Sequence, residues 1–316
     1  MTKTNTEKDT LLAVLELDCI PDILVDRALW IAQKFDFKVH LVMFEPNAND
    51  LLARFPVSSE AQTLQQDMER AQTELVEDHA NRMRDAGITV TTAVLRQRPL
   101  GEWVLNIIAD VDPKLVVKAT QFQSAAERSM LVNSDWQLMR TCPCPLWLVK
   151  SASMADKPLI VAAVDPGNTH DKPAALDHEI VRTAKAVAEH TQGDVHLIHT
   201  YERLAGIGAA ATMAFKSGKL PIDEIDARIK SEHRQALDAL AATNKIDLDH
   251  AHQLPGRAHE ILPVFTRSQN AGLVVMGALA RWGFKRKIIG STAERVIDHI
   301  ASDILIVRLG DHQLYE

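Results

Sequence analysis

Short, almost wholly apolar runs recur along the chain. In the first half they are Leu12–Leu17 leading to Asp18, Val39–Val42, Leu115–Val117 and Leu146–Val149. In the second half they are Leu159–Val164 leading to Asp165, Val195–Ile198, Leu273–Val275 and Ile304–Val307. Runs this short and this rich in β-branched residues suit strands buried on both faces. Between them lie longer segments with apolar positions three and four apart. These predict helices over about Leu24–Phe35, Ala61–Ala86, Glu179–His190 and Ile222–Asn244.

The two halves of this pattern coincide when laid over each other. Leu115-Val116-Val117 meets Leu273-Val274-Val275 at an offset of 158, and Ile88-Thr89-Val90 meets Ile246-Asp247-Leu248 at the same offset. So do Glu102 and Glu260, and Leu146–Val149 and Ile304–Val307. Upstream, differences in loop length let the offset drift: Val39–Val42 falls on Val195–Ile198, and Leu12–Asp18 on Leu159–Asp165. Each copy reads strand, helix, strand, long charged helix, strand, short helix, strand, loop, helix, strand. Apolar strands alternating with helices predict an α/β protein with two tandem doubly wound domains, each a five-stranded parallel sheet. Such sheets bind ligands beyond the carboxyl ends of their strands. The small, polar stretch Ser151–Pro158 marks the boundary, giving domains over 1–150 and 151–316.

The candidate chemistry gathers after the fourth strand of the second copy. Met276-Gly277 ends that strand, and Gly290-Ser291-Thr292 opens a helix with Glu294 in its first turn. Unpaired N–H groups at such a start, with two hydroxyls beside them, form an anion site. Arg281, Lys285, Arg286 and Lys287 add positive charge to the same loop, and Asp165 at the tip of the first strand offers an acceptor to a ribose or a base. The spacing is not that of a Walker loop, since five residues separate Gly277 from Gly283 and Phe284 precedes Lys285. Neither first strand runs into the glycine fingerprint of dinucleotide-binding folds.

At these residues the chain resembles the universal stress protein family, and most closely its tandem-domain, UspE-like members. The ATP loop of that family reads G-x-x-G, nine residues, then G-S or G-T and a helix often written A-E-R-V. Gly277 matches the first glycine, Arg281–Ile289 are the nine residues, and Gly290-Ser291 and Ala293–Val296 complete the pattern. Ala280 stands where the second glycine is expected. The resemblance implies an adenine-nucleotide alpha hydrolase-like fold, twice. It also implies ATP or a related adenine nucleotide as ligand, with or without magnesium, in the second domain. Asp165 and its neighbour Ala163 would then adjoin adenosine, His199 would lie beside the base, and Met276, Gly277, Arg281, Gly290, Ser291 and Thr292 would surround the phosphates. The first copy has lost the loop: Ala119, Phe122, Val132 and Asn133 stand at the positions of Gly277, Ala280, Gly290 and Ser291. No triphosphate is expected there.

Composition narrows the field further. With 46% hydrophobic and 24% charged residues the 316-residue chain is an ordinary globular protein, and a net charge of −7 argues against a dedicated nucleic-acid surface. A polar N-terminus and the lack of a long apolar run predict a cytoplasmic protein with no membrane span. Three cysteines set no disulfide framework, and Cys142-Pro-Cys144 reads as small buried residues before a strand rather than a metal or redox pair. His250-x-His252 reads as a solvated strand end, with no metal site expected. Leu204–Phe215, apolar and rich in Gly and Ala, reads as a helix over the seam between domains or as a lid on an apolar pocket. No activated nucleophile is visible, so no catalytic residue is expected. The expected function is nucleotide binding in a stress-response protein, with further homodimerisation. A non-nucleotide scaffold and a slow ATPase are the rival readings.

Overall fold

The computed structural model describes residues 8–16, 21–44, 59–95, 100–120, 134–150, 153–167, 174–203, 222–278, 296–297, 299–310 and 314. The chain divides into two compact units, built mainly of Met1–Met154 and Ala155–Leu309.

In the first unit the described elements run β1 (Thr10–Glu16), α1 (Pro21–Phe35), β2 (Lys38–Phe44), α2 (Ser59–Asp85), β3 (Val90–Leu95), α3 (Leu100–Val111), β4 (Leu115–Ala119), α4 (Ser134–Thr141) and β5 (Leu146–Val149). The sheet order is β3-β2-β1-β4-β5, and every pairing is parallel. The second unit repeats the plan with β6 (Leu159–Ala163), α5 (Ala175–Thr191), β7 (Asp194–Tyr201), α6 (Ile222–Asn244), β8 (Ala251–Pro255), α7 (Ala258–Ser268), β9 (Leu273–Gly277) and β10 (Asp303–Val307). Its order is β8-β7-β6-β9-β10, again all parallel. In both sheets the order reverses between the first and fourth strands, where a crevice opens beyond their carboxyl ends.

The strands form because their side chains have nowhere polar to go. β4, β5 and β10 are buried at every residue, and β1 at all but the last. Helices cover them through one stripe: α1 buries Leu24, Ala28, Ile31 and Phe35, spaced three and four apart. Burying each large aliphatic or aromatic side chain contributes about 1.5–3 kcal/mol. Trp147 is fully buried with its ring edge-on to Trp30 at 6.5 Å. Cys142 and Cys144 are buried, with sulfurs 3.6 Å apart and no disulfide between them, and serve as small packing residues.

Register corrects the sequence alignment in one place. Leu11 pairs with Leu115, and Ile160 pairs with Leu273. Leu11 therefore corresponds to Ile160, and Glu16 rather than Asp18 corresponds to Asp165. A slip of two residues keeps every side chain on its own face, so an all-apolar strand gives no pattern against which to detect it. The third strand of the second unit begins at Ala251, directly after a 3₁₀ turn over Leu248–His250.

Candidate functional site

The crevice of the second unit lies where β6 and β9 end side by side, Ala163 opposite Met276. Ala163 is half-buried and Met276 buried. Two residues past Ala163, Asp165 presents a half-exposed carboxylate, 45% accessible. Its backbone N–H donates to Asp177 Oδ1 at 2.9 Å, and Asp177 is buried in the first turn of α5. Asp177 also places an acidic residue in the first turn of α5, where it complements the helix dipole.

His199 is fully buried on β7 beneath this rim. Its Nδ1 lies 3.2 Å from the carbonyl oxygen of Val164 and 3.5 Å from Asp165 Oδ1, and its Nε2 lies 2.6 Å from His233 Nδ1 on α6. Nδ1 facing a carbonyl carries the proton, so His233 donates to the bare Nε2. Burial pushes the His199 ring below the usual imidazole range; Asp165 and Val164 pull it back, His233 lowers it further, and Asp177 raises it slightly. The ring is thus neutral near pH 7, and it braces Asp165 and His233. The His199 and His233 rings stack with centroids 4.9 Å apart, and Tyr201 leans on His233 at 5.9 Å. His233 and Asp177 are the members of this constellation that sequence reading missed. Both sit on helices far along the chain, and neither belongs to a motif.

Two glycines shape the rim. A Cβ on Gly167 would stand 2.5 Å from His233 Nδ1, and one on Gly277 would stand 2.7 Å from Leu176 Cδ2 on α5. Gly277 is therefore needed for the close passage of α5. Arg281, Gly290, Ser291 and Thr292, the segment Leu204–Phe215 and Ala280 lie outside the described residues.

The matching position in the first unit is filled from within. Lys118, in the place of Met276, is only 2% exposed. Its ammonium lies 3.1 Å from Glu16 Oε2, 2.5 Å from Asp135 Oδ1 and 3.2 Å from the carbonyl oxygen of Ala119. Glu16 has thus found an internal cation. Asp165, its counterpart, has only the neutral His199 as a basic partner among the described residues.

The universal stress protein family model matches residues 11–150 and again 159–308. The chain is 26% identical to universal stress protein E of Photorhabdus laumondii over 251 residues, covering 79% of this chain and 78% of the relative. It is 25% identical to universal stress protein E of Escherichia coli K12 over 244 residues, covering 76% and 75%. Among solved structures, a universal stress protein from Pseudomonas aeruginosa UCBPP-PA14 shares the fold with a TM-score of 0.70 and 23% identity, covering 98% of this chain and 95% of that one. One from Archaeoglobus fulgidus does so at 0.65 and 14%, covering 95% and 96%.

Proposed function

This chain belongs to the universal stress protein family, in the tandem form of the universal stress protein E relatives, and on that footing we propose that its second unit binds ATP or a related adenine nucleotide. The first unit is then a degenerate partner that binds none. The protein acts in the cytoplasm in a stress response. No helix among the described residues is long and apolar enough to cross a membrane.

The contrast between Asp165 and Glu16 supports this reading most. Both carboxylates stand at the end of the first strand of their sheet. Glu16 is neutralised by Lys118, whereas Met276 offers Asp165 no charge. A half-exposed carboxylate at the strand-order reversal, backed by a rigid histidine pair, suits hydrogen-bond donors on a ribose or an adenine. The loop running from Gly277 to Gly290-Ser291-Thr292 starts from the adjacent strand and supplies N–H groups, hydroxyls and Arg281 for phosphates. Magnesium, when present, would neutralise phosphate charge. The reading includes binding and no turnover step.

Equilibrium titration of the whole chain with ATP tests it. Wild type should saturate at one equivalent. Gly290→Val should weaken binding at least about tenfold, the scale of losing charge-assisted hydrogen bonds. Met276→Lys, which moves the first unit's cation beneath Asp165, should do the same while the circular dichroism spectrum stays unchanged. Wild type that takes up no nucleotide sinks the proposal and favours the scaffold reading. Phosphate release, blanked with Gly290→Val, would expose a slow ATPase.

A further inference from the structure

At the opposite, amino end of the second sheet three histidines and an aspartate converge. Asp194 and His196 begin β7 with side chains on one face, and His250 and His252 flank the start of β8. Leu197 pairs with Ala251, which brings His196 alongside His250. One ligand atom each from Asp194, His196 and His250 lie within 4.8 Å of one another. His196 Nε2 is 3.3 Å from Asp194 Oδ2, and His250 Nδ1 is 3.4 Å from Asp194 Oδ1. Ligands held about 2.0–2.1 Å from zinc in a tetrahedron stand roughly 3.3–3.4 Å apart, about the distance of each imidazole nitrogen from its nearer Asp194 oxygen, Oδ2 for His196 and Oδ1 for His250. The rings of His196 and His250 stack at 4.3 Å.

His252 stands behind His196. Its Nε2 is 3.0 Å from His196 Nδ1, and its ring leans on Phe265 at 5.0 Å. A metal-ligating imidazole needs such a partner on its second nitrogen to fix ring and tautomer. Burial pushes both His196 and His252 below the usual imidazole range; His250 lowers both further, Asp194 pulls His196 back up, and His196 and Arg234 lower His252. Arg234 on α6 also faces His252, and its charge is balanced by Asp238 at 2.7 Å.

We propose that Asp194, His196 and His250 form a binding site for a divalent ion of the zinc class, with His252 as positioning residue and one coordination position open to water. Imidazole with one carboxylate favours zinc, copper or nickel over the hard, oxygen-seeking cations. In the empty state His252 donates from Nε2 to His196 Nδ1, and His196 donates from Nε2 to Asp194. With the ion bound to its Nε2, His196 carries its proton on Nδ1 instead and donates it to His252 Nε2, while the proton of His252 moves to its own Nδ1. Each ring carries one proton before and after. The sequence shows His250-x-His252 but not the second half of the cluster, because Asp194 and His196 sit more than fifty residues earlier on another strand and meet it only through the parallel register.

The test is calorimetric titration of the untagged, chelator-treated full chain with zinc, and with cobalt for its absorption spectrum. Wild type should bind one equivalent of zinc, and cobalt should give the visible bands of a four-coordinate site. His196→Gln, Asp194→Asn and His250→Gln should each weaken zinc at least about tenfold, a change on the scale seen when metal-site partners are removed. His178→Gln, on α5, should leave it unchanged. His250 and Asp194 are exposed enough to be replaced without refolding the sheet, which equal melting curves in chelator would verify. No uptake by wild type, or uptake indifferent to all three substitutions, overturns the proposal.

Discussion

Lys118 lies in a strand buried at every residue, where an ammonium ion survives because Glu16 and Asp135 stand against it. Removing the cation takes its charge away from both acids. Lys118→Met should destabilise the first unit by about 3–5 kcal/mol, the usual cost of breaking a buried pair. Adding Glu16→Gln and Asp135→Asn should recover most of that loss; urea unfolding of both variants measures it. Little of this was legible in the sequence. Asp165 stood out because it follows an apolar run, but Glu16 was hidden by the two-residue slip that buried strands permit. Lys118 follows the apolar run Leu115–Val117 and belongs to no motif. His233 and Asp177 were invisible, since each meets His199 or Asp165 only through tertiary packing.

Each of the helices α1, α3, α5, α6 and α7 is followed by a left-handed residue that is not glycine: Asp36, Asp112, Gln192, Lys245 and Asn270. The fold is therefore built from sharply stopped helices, whose carboxyl ends the three-and-four apolar spacing placed within a residue for α1, α5 and α6. A residue with a Cβ in this conformation costs roughly 1–2 kcal/mol, less for Asn and Asp. Gln192→Gly should thus raise stability by somewhat under that amount, since glycine also enlarges the unfolded ensemble. Asn270→Gly should gain less. Paired thermal melts decide the order. Elements resist change elsewhere: Gly277→Val should displace Leu176 and loosen α5 from β9, lowering the melting midpoint.

At the scale of the molecule the titrating groups are unevenly shared. Burial leads the lowering of His196, His199 and His252 in the second unit and of His40 in the first. Each ring is more easily protonated when unfolded, with an ordinary value of about 6.5. Their contribution to stability is complete above that value and is lost as pH falls through the lower folded ones. The second unit should therefore weaken first on acidification from about pH 7 to pH 5.5. Four of the five tryptophans, Trp30, Trp103, Trp136 and Trp147, belong to the first half. Tryptophan fluorescence should then report a melting midpoint that moves less with pH than the one seen by circular dichroism, and His199→Gln should narrow the gap.

The sealed lysine also governs what a larger partner would meet. On the proposed function, the half closed by its own ammonium would keep one surface at every nucleotide concentration, while the other half would change with supply.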